Sequence, residues 1–348
     1  MTQMGGSGAG GYRPKGVGPL IPPLTETQRP LRQQIFERIR AAGLIPRVTL
    51  ARELDVSPAS VTTICAELIE AGLIEEVAAP RDVESARGRP AVALGVRAAS
   101  HLVAGMKLSD REHTAVIVDF AGNLVADEAV PRQPGPMTLD ELLTAVETLL
   151  ARVCTKAGVA SQALSAIGIG VPGFVDVAAG LVHWSSVLHE RNIPLAAAAT
   201  ARIGVPVTID NDANLVALAE LWFGAGRGLS DFAVVTIEHG VGMGFVMNHR
   251  IYRGSQRLGM ELGHIKVELD GALCRCGRGR QSRRVQPPLG RARRQSRFEQ
   301  SDQRRQVRQR VQLVRAYQHL RNRRFAAQQD RRQGQIARVE MAAKLVAV

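Results

Sequence analysis

Two apolar runs separated by closely spaced glycines constrain the fold of this 348-residue chain most strongly. The runs cover residues 232–237 and 245–247, and Gly240, Gly242 and Gly244 lie between them. Because glycine adopts backbone conformations that are closed to other residues, this pattern predicts two neighbouring strands joined by a tight turn. The chain is therefore expected to contain a hairpin that belongs to a larger sheet.

Four side chains that could bind a ligand or a metal follow this hairpin. Glu261 and His264 lie in a Gly-Met-Glu-Leu-Gly-His run, and Cys274 and Cys276 follow shortly after it. An imidazole and two thiols suit tetrahedral Zn²⁺, and thiols in a reducing compartment bind metal more often than they form disulfides. The alternative is a reduced loop with two inert thiols.

The same segment resembles the sugar-binding part of ROK proteins, which are sugar kinases and sugar-responsive repressors with an actin-like (ribonuclease H-like) α/β fold. The resemblance implies that Glu261 and His264 bind a sugar, and that His264, Cys274 and Cys276 bind zinc. It also implies a third cysteine, in a Cys-Gly-x-x-Gly-Cys-x-Glu sequence, but Gln281 occupies that position. The predicted zinc site is therefore incomplete.

The charge of the chain also changes at this point. Residues 282–348 contain seventeen arginines and one lysine against four acids, a net charge of +14, while the whole chain carries +13. Residues 1–281 therefore sum to −1, so any DNA affinity in them depends on local arrangement. We interpret the Arg- and Gln-rich tail as a reading-frame shift near residues 278–281, because shifted GC-rich coding DNA yields many arginine codons. A genuine basic tail is the alternative, and it would not replace the missing C-terminal part of the fold.

The N-terminal region divides into an arm and a helical segment. Residues 1–28 are rich in glycine and proline without apolar periodicity, which predicts a disordered arm. From Leu31 apolar residues recur at helical spacing, and a second helix is predicted over 49–54. Ser57-Pro58 is a typical start for a third helix, which ends near Ala71.

Three helices in this order are typical of a helix-turn-helix, whose last helix enters the DNA major groove. The residues expected to face the bases lie near the start of this helix, where a recognition helix is nearest the bases: Ser57, Ala59, Ser60 and Thr63. Strands over 73–77 and 90–96 would form a wing, and Arg87 and Arg89 in its loop would contact phosphates or the minor groove. A three-helix protein-interaction module is the alternative. The Gly-Arg-Pro of the loop also resembles the N-terminal domain of ROK repressors, so residues 29–97 are assigned to a winged helix-turn-helix.

Residues 98–281 alternate between strand and helix patterns, which predicts a sheet covered by helices. The predicted strands cover 102–107, 114–119, 124–130, 166–171 and 205–209, and the predicted helices cover 137–157 and 213–223. The resemblance to ROK proteins runs from about Leu31 to Gly277. Residues 98–281 are therefore interpreted as an incomplete ROK sugar-binding domain.

An Asp-Asn-Asp run lies between the last of these strands and the last helix. Asn211 and Asp212 are expected at a strand end, where α/β proteins bind ligands. The resemblance implies that both contact sugar hydroxyls, and that the aspartate is the general base in the kinases. The alternative is a simple helix N-cap.

Two stretches distinguish a kinase from a regulator. The kinases hold ATP phosphates in an Asp-x-Gly-Gly-Thr loop and a Gly-Thr-Gly loop. Here the corresponding sequences are Gly105-Met106-Lys107-Leu108-Ser109-Asp110, which lacks paired glycines, and Glu238-His239-Gly240. We therefore expect no ATP binding, no enzymatic activity and no catalytic residue.

The sequence thus predicts a ROK-type transcriptional repressor that binds double-stranded operator DNA and a sugar or sugar-derivative effector. Zinc is its expected cofactor, and a homodimer or higher homo-oligomer its expected state. With four cysteines, no signal peptide and no apolar run of membrane-spanning length, a cytoplasmic protein is expected. The alternatives are a ROK sugar kinase with an accessory domain and a non-functional, frameshifted remnant.

Overall fold

The computed structural model describes residues 16–20, 29–78, 92–237, 240–254 and 262–264. The α-helices in these ranges are α1 (Leu31–Ala42), α2 (Arg47–Glu53), α3 (Pro58–Glu70), α4 (Leu139–Ala157), α5 (Leu195–Ile203) and α6 (Asp212–Phe223). The strands are β1 (Leu44–Ile45), β2 (Ile74–Ala78), β3 (Val92–Val96), β4 (Leu102–Leu108), β5 (Glu112–Asp119), β6 (Leu124–Pro131), β7 (Leu164–Val171), β8 (Phe174–Asp176), β9 (Leu181–Trp184), β10 (Val207–Asn211), β11 (Phe232–Ile237), β12 (Val241–Met247) and β13 (Arg250–Ile251).

The first three helices pack on a small antiparallel sheet with the strand order β1-β3-β2. Their buried residues form one apolar cluster, and each helix contributes to it: Ile35, Ile39, Leu50, Val61, Cys65 and Leu68. Full burial of a leucine or isoleucine side chain contributes roughly 2 kcal/mol, so this cluster is what holds three short helices together. We call this part of the chain the helical unit.

The third helix begins where the sequence predicted. The Ser57 hydroxyl accepts a hydrogen bond from the Ser60 amide at 3.0 Å, and Pro58 is the first helical residue. The second helix begins two residues earlier than predicted, at Arg47, since the preceding Pro46 already accepts the first helical hydrogen bond, from Leu50 N at 3.1 Å. Because the residue before a proline disfavours the helical conformation, α2 cannot extend towards the N-terminus past Pro46.

A five-stranded sheet with the order β10-β7-β4-β5-β6 forms the centre of the α/β part. Its first three strands are parallel, and β5 and β6 extend it as an antiparallel meander. Helix α4 covers one face through an apolar stripe that includes Leu142, Val146 and Val153. Its start is fixed by a capping box between Thr138 and Glu141.

Three elements lie where the sequence analysis assigned none, between Gly173 and Val205. Strands β8 and β9 pair with each other, and α5 follows them. Helix α5 is the alanine-rich run LAAAATARI, whose Leu195 and Ala199 are fully buried. Alanine has the highest helix propensity, but a short alanine run carries too weak an amphipathic pattern to stand out by periodicity.

The predicted hairpin is confirmed, with Phe232 opposite Val246 and Ile237 opposite Val241. Its second strand is longer than predicted, because β12 begins at Val241 rather than at Phe245. The hairpin packs on α6 where Gly244 faces the helix. A Cβ atom at Gly244 would lie 2.4 Å from the Ala213 carbonyl oxygen, so only glycine allows this approach.

Residues 16–20, which we call the strap, differ from the expectation of a disordered arm over 1–28. Val17 is 4% exposed and packs with Leu221 and Trp222. A single apolar residue between glycines gives no periodic signal, so its burial could not be predicted from sequence.

The described residues include no helix that combines the length and apolar character needed to cross a bilayer.

Candidate functional site

The junction of β10 and α6 lies at the carboxyl edge of the central sheet. The last residues of β7 and β10, Val171 and Asn211, are in register in neighbouring parallel strands. In open α/β sheets the crevice beyond the carboxyl ends of parallel strands is the usual ligand site. The structure therefore puts Asn211 and Asp212 at the edge predicted for a ligand.

Asn211 acts as the N-cap of α6. Its side-chain oxygen accepts hydrogen bonds from the backbone amides of Ala213 at 2.9 Å and Asn214 at 3.2 Å. Its side-chain nitrogen donates to the Gly173 carbonyl oxygen at 2.9 Å. The capping alternative raised from the sequence is therefore correct for Asn211, which also joins the loop after β7 to the start of α6.

Asp212 is the first helical residue and is half-buried at this edge. Its carboxylate accepts a hydrogen bond from the Ala213 amide at 2.9 Å. A negative charge in the first turn is stabilised by the helix dipole, so the site can hold an ionised acceptor for hydroxyl groups.

An ion pair with a buried carboxylate, which the sequence analysis did not predict, lies next to these two residues. Asp210 is 1% exposed, and the Arg253 guanidinium donates to both of its carboxylate oxygens, at 2.9 and 2.7 Å. The Asn214 side chain donates to the same carboxylate at 3.3 Å. Hydrogen bonds from a guanidinium and an amide offset the cost of burying this carboxylate. Arg253 thereby connects the segment after β13 to the end of β10 and the first turn of α6.

The Leu262–His264 turn approaches the same end of α6 through β12. A Cβ atom at Gly263 would lie 2.0 Å from the Val241 carbonyl oxygen, and one at Gly242 would lie 2.9 Å from the Ala213 Cβ. The turn that carries the predicted sugar-binding histidine therefore packs on β12, and β12 in turn packs on the start of α6. The side chain of His264 lies outside the described part of the structure.

The turn between β4 and β5 contains Ser109, in the stretch that was compared with the first phosphate loop of the kinases. The Ser109 amide donates to His113 Nδ1 at 3.3 Å, and the Ser109 hydroxyl donates to the Glu112 carbonyl oxygen at 2.6 Å. Burial, with a contribution from Arg132, lowers the pKa of His113 to about 4, so the ring is neutral and accepts this hydrogen bond. The donors of Ser109 are thus engaged by the protein itself.

The residues predicted to face DNA lie together on α3. Ser57, Ala59 and Thr63 are exposed, and Ser60 is half-buried with its hydroxyl 2.8 Å from that of Ser57. The opposite side of the helix, which includes Val61, is buried in the core of the helical unit. Four small side chains thus share one accessible face.

Five further predicted residues lie outside the described ranges: Arg87, Arg89, Glu261, Cys274 and Cys276. The structure therefore leaves the wing loop and the zinc ligands as predictions. Sequence reasoning missed Asp210 and Arg253. Asp210 begins the Asp-Asn-Asp run and could have been identified, whereas Arg253 is 43 residues away and carries no local signal.

Comparison with known proteins identifies the family. The sequence profile of the ROK family matches residues 103–280. The DNA-binding transcriptional repressor Mlc of Escherichia coli K12 is 31% identical over 249 residues, which cover 70% of this chain and 59% of Mlc. The chain thus spans about three fifths of the length of this curated relative.

The chain is also similar to a glucokinase and to a ROK regulator of known structure. The glucokinase of Streptomyces coelicolor is 33% identical over 177 residues, or 51% of this chain and 53% of the kinase. A crystal structure of a ROK family transcriptional regulator, homologous to the Escherichia coli Mlc protein, aligns with a TM-score of 0.57 and 29% identity over 71% of this chain and 61% of that one. Because the family profile covers half of the residues and the mixed α/β fold agrees, the chain belongs to the ROK family.

Proposed function

We propose that this chain is a sugar-responsive transcriptional repressor, which binds operator DNA through residues 29–97 and responds to a sugar at the β10–α6 edge. The observation that carries the proposal is the combination, in one chain, of three helices and two wing strands with a ROK α/β part. The relatives matched over 70% of the chain include repressors, whereas the glucokinase is matched over 51%.

The DNA-binding half of the proposal rests on α3. A winged helix-turn-helix inserts this helix into the major groove, so Ser57, Ala59, Ser60 and Thr63 would contact base edges. Arg87 and Arg89 of the wing loop would neutralise phosphates or enter the minor groove. A homodimer would present two such helices to a palindromic operator, with half-sites about one helical turn apart.

The sugar-binding half of the proposal rests on the β10–α6 edge. Asp212 would accept hydrogen bonds from sugar hydroxyls, and Asn211 would hold the edge in shape from the cap position. Glu261 and His264 would supply further contacts to the sugar. A zinc ion suits the donors His264, Cys274 and Cys276, because imidazole and thiolate are its usual ligands.

The proposal excludes sugar phosphorylation. The Ser109 amide, which a phosphate loop would direct at ATP, donates to His113 instead. This favours a regulator over the kinase alternative, because backbone amides are the groups that hold phosphates in such loops.

Selection from random duplex DNA tests the proposal with the full chain. Recovered duplexes should share a palindromic sequence and should bind more tightly than scrambled duplexes, with affinity falling as salt rises. Millimolar glucose, N-acetylglucosamine and xylose should be added in turn, and one of them should weaken operator binding by about 5- to 150-fold. ATP turnover with any of these sugars, or equal binding to selected and scrambled duplexes, would overturn the proposal.

A further inference from the structure

The strap joins the two parts of the chain through backbone hydrogen bonds. Val17 N donates to the Arg40 carbonyl oxygen at the end of α1, and Gly18 N donates to the Trp222 carbonyl oxygen at the end of α6, both at 2.8 Å. Leu20 N donates to the Arg227 carbonyl oxygen at 2.8 Å. The strap therefore crosses between the last turns of α1 and α6.

Arg227 reinforces this crossing from the α6 side. Its Nε donates to the Gly18 carbonyl oxygen at 2.8 Å, and its Nη2 donates to the Ala41 carbonyl oxygen at 2.6 Å. Ala41 is in the last turn of α1, where a cation also interacts favourably with the helix dipole. A single side chain thus binds both the strap and α1.

Arg40 makes the reverse connection, from α1 to α6. Its guanidinium lies 4.2 Å from the centre of the Trp222 ring and 5.7 Å from that of Phe36. A desolvated cation over tryptophan contributes more than an exposed one. Phe36 in turn stacks on Phe120 after β5, with ring centres 5.5 Å apart.

The fit of the strap against α1 leaves no room for a side chain at its first residue. A Cβ atom at Gly16 would lie 2.0 Å from the Ala41 carbonyl oxygen and 2.6 Å from the Gly43 nitrogen. Both neighbours are backbone atoms, which cannot move aside as a flexible side chain would. The strap therefore packs tightly against the backbone at the end of α1.

The other end of the same helix is the candidate sugar site. Asn211 caps α6, and the Asp210–Arg253 ion pair binds its first turn through Asn214. Helix α6 is a single run of 12 residues, about 18 Å long, and most of its side chains are buried. A short buried helix moves as a unit, so displacement at one end reaches the other.

We propose that α6 and the strap couple the sugar site to the helical unit, so that ligand binding at the start of α6 shifts α1 and the DNA-binding helix α3 attached to it. This inference rests on the proposed function and concerns its regulation. Helix shifts of about 1 to 2 Å at an interface are sufficient to switch a packed arrangement between two states. The ligand would favour the state in which the two α3 helices of a dimer no longer match the operator spacing.

Two variants with matched controls test the coupling in the full chain. Gly16→Ala should displace the strap, whereas Gly228→Ala is its control, because a Cβ atom at Gly228 meets no atom within 4 Å. Arg227→Met should remove both hydrogen bonds to the strap and α1. Arg202→Met is its control, since Arg202 also makes two polar contacts, with Asp140 and Glu147, but on the α4–α5 surface.

The readouts are sugar affinity by calorimetry and affinity for the selected operator duplex by fluorescence anisotropy, with and without the active sugar. Both test variants should still bind the sugar and the duplex, but the wild-type loss of operator affinity on adding sugar should shrink towards no change. Both controls should keep the wild-type response. If the test variants respond to sugar as the wild type does, the inference is overturned and the proposed function still stands.

Hydrogen exchange of the unaltered protein supplies a measurement that needs no variant. Adding the sugar should change the exchange rates of the Val17, Gly18 and Leu20 amides as well as those of the first turn of α6. Unchanged exchange in the strap while sugar still releases DNA would overturn the coupling alone. If no sugar releases DNA from the wild type, the proposed function itself has failed.

Discussion

The helical unit and the β10–α6 edge use the same local device but depend differently on the rest of the chain. In each, a helix begins at a polar cap, Ser57 for α3 and Asn211 for α6. The Ser57 cap joins two residues of the same turn, since the Ser57 hydroxyl accepts a hydrogen bond from the Ser60 amide. Asn211 additionally binds Gly173, 38 residues away, and the carboxylate beside it binds Arg253, 43 residues away. The cap of α3 thus depends on residues close in sequence, whereas the start of α6 also depends on contacts from distant segments.

The largest expected effect comes from removing the Asp210–Arg253 ion pair, which joins distant segments at the β10–α6 edge. Arg253→Met should lower the free energy of unfolding by about 3 kcal/mol, because it leaves the carboxylate of Asp210, which is 1% exposed, without its cation. Urea unfolding of the full chain measures this. Adding Asp210→Asn should restore part of the loss, and Arg202→Met, which removes exposed ion pairs, should change little. A loss no greater than that of Arg202→Met would show that the pair is unimportant.

Acid should destabilise the α/β part and spare the helical unit. The folded pKa of His113, about 4, lies below its ordinary value of about 6.5, so the unfolded chain binds the proton more readily. Stability should therefore be complete above about pH 6.5 and fall as the pH drops, by about 2 kcal/mol near pH 5. Residues 29–78 contain no histidine.

The pH dependence is measured by urea unfolding across this range. His113→Gln should flatten the profile, and His189→Gln, at an exposed histidine, should retain it. Equal slopes for His113→Gln and the wild type would remove His113 as the cause.

DNA affinity should depend on the residues that are predicted to contact DNA. Ser60→Ala or Thr63→Ala should weaken binding to the selected operator by about 1 to 3 kcal/mol if the side chain contacts a base. Arg89→Ala should weaken binding to all duplexes and reduce the salt dependence. Thr148→Ala, an exposed threonine of α4, is the control. Anisotropy titrations in which Thr63→Ala binds like Thr148→Ala would exclude a base contact by Thr63.

The smallest effects compare the two caps directly. Ser57→Ala and Asn211→Ala should each cost about 1 kcal/mol of stability, with the asparagine the more costly because it also binds Gly173. Asn211→Asp keeps the capping acceptor and loses only the donor to Gly173. Asn211→Ala should lower sugar affinity in calorimetry more than Ser57→Ala does, because only Asn211 lies at the candidate sugar site; an equal effect of the two changes would contradict this difference.

Much of the architecture could be read from the sequence because it follows from local rules. Helix α1, the Ser57 start of α3 and the β11–β12 hairpin were all predicted and are confirmed. Helix α5 was missed, because its alanine-rich sequence has little contrast between its faces. The sequence also identified the position of the Asn211–Asp212 site, but it left the role of Asn211 open between ligand contact and cap.

The sequence by itself determined most of the order of strands and helices, the Ser57 cap of α3, the accessible face of that helix and the resemblance to the ROK family. These depend on periodicity, on propensity and on motifs of a few residues, which are contained in short stretches of chain. Only the tertiary structure decided that Arg253 pairs with Asp210, that the Leu262–His264 turn packs on β12, and that Val17 is buried between α1 and α6. Each of these contacts joins segments that are distant in sequence, and their proximity follows from how the sheet and helices pack together.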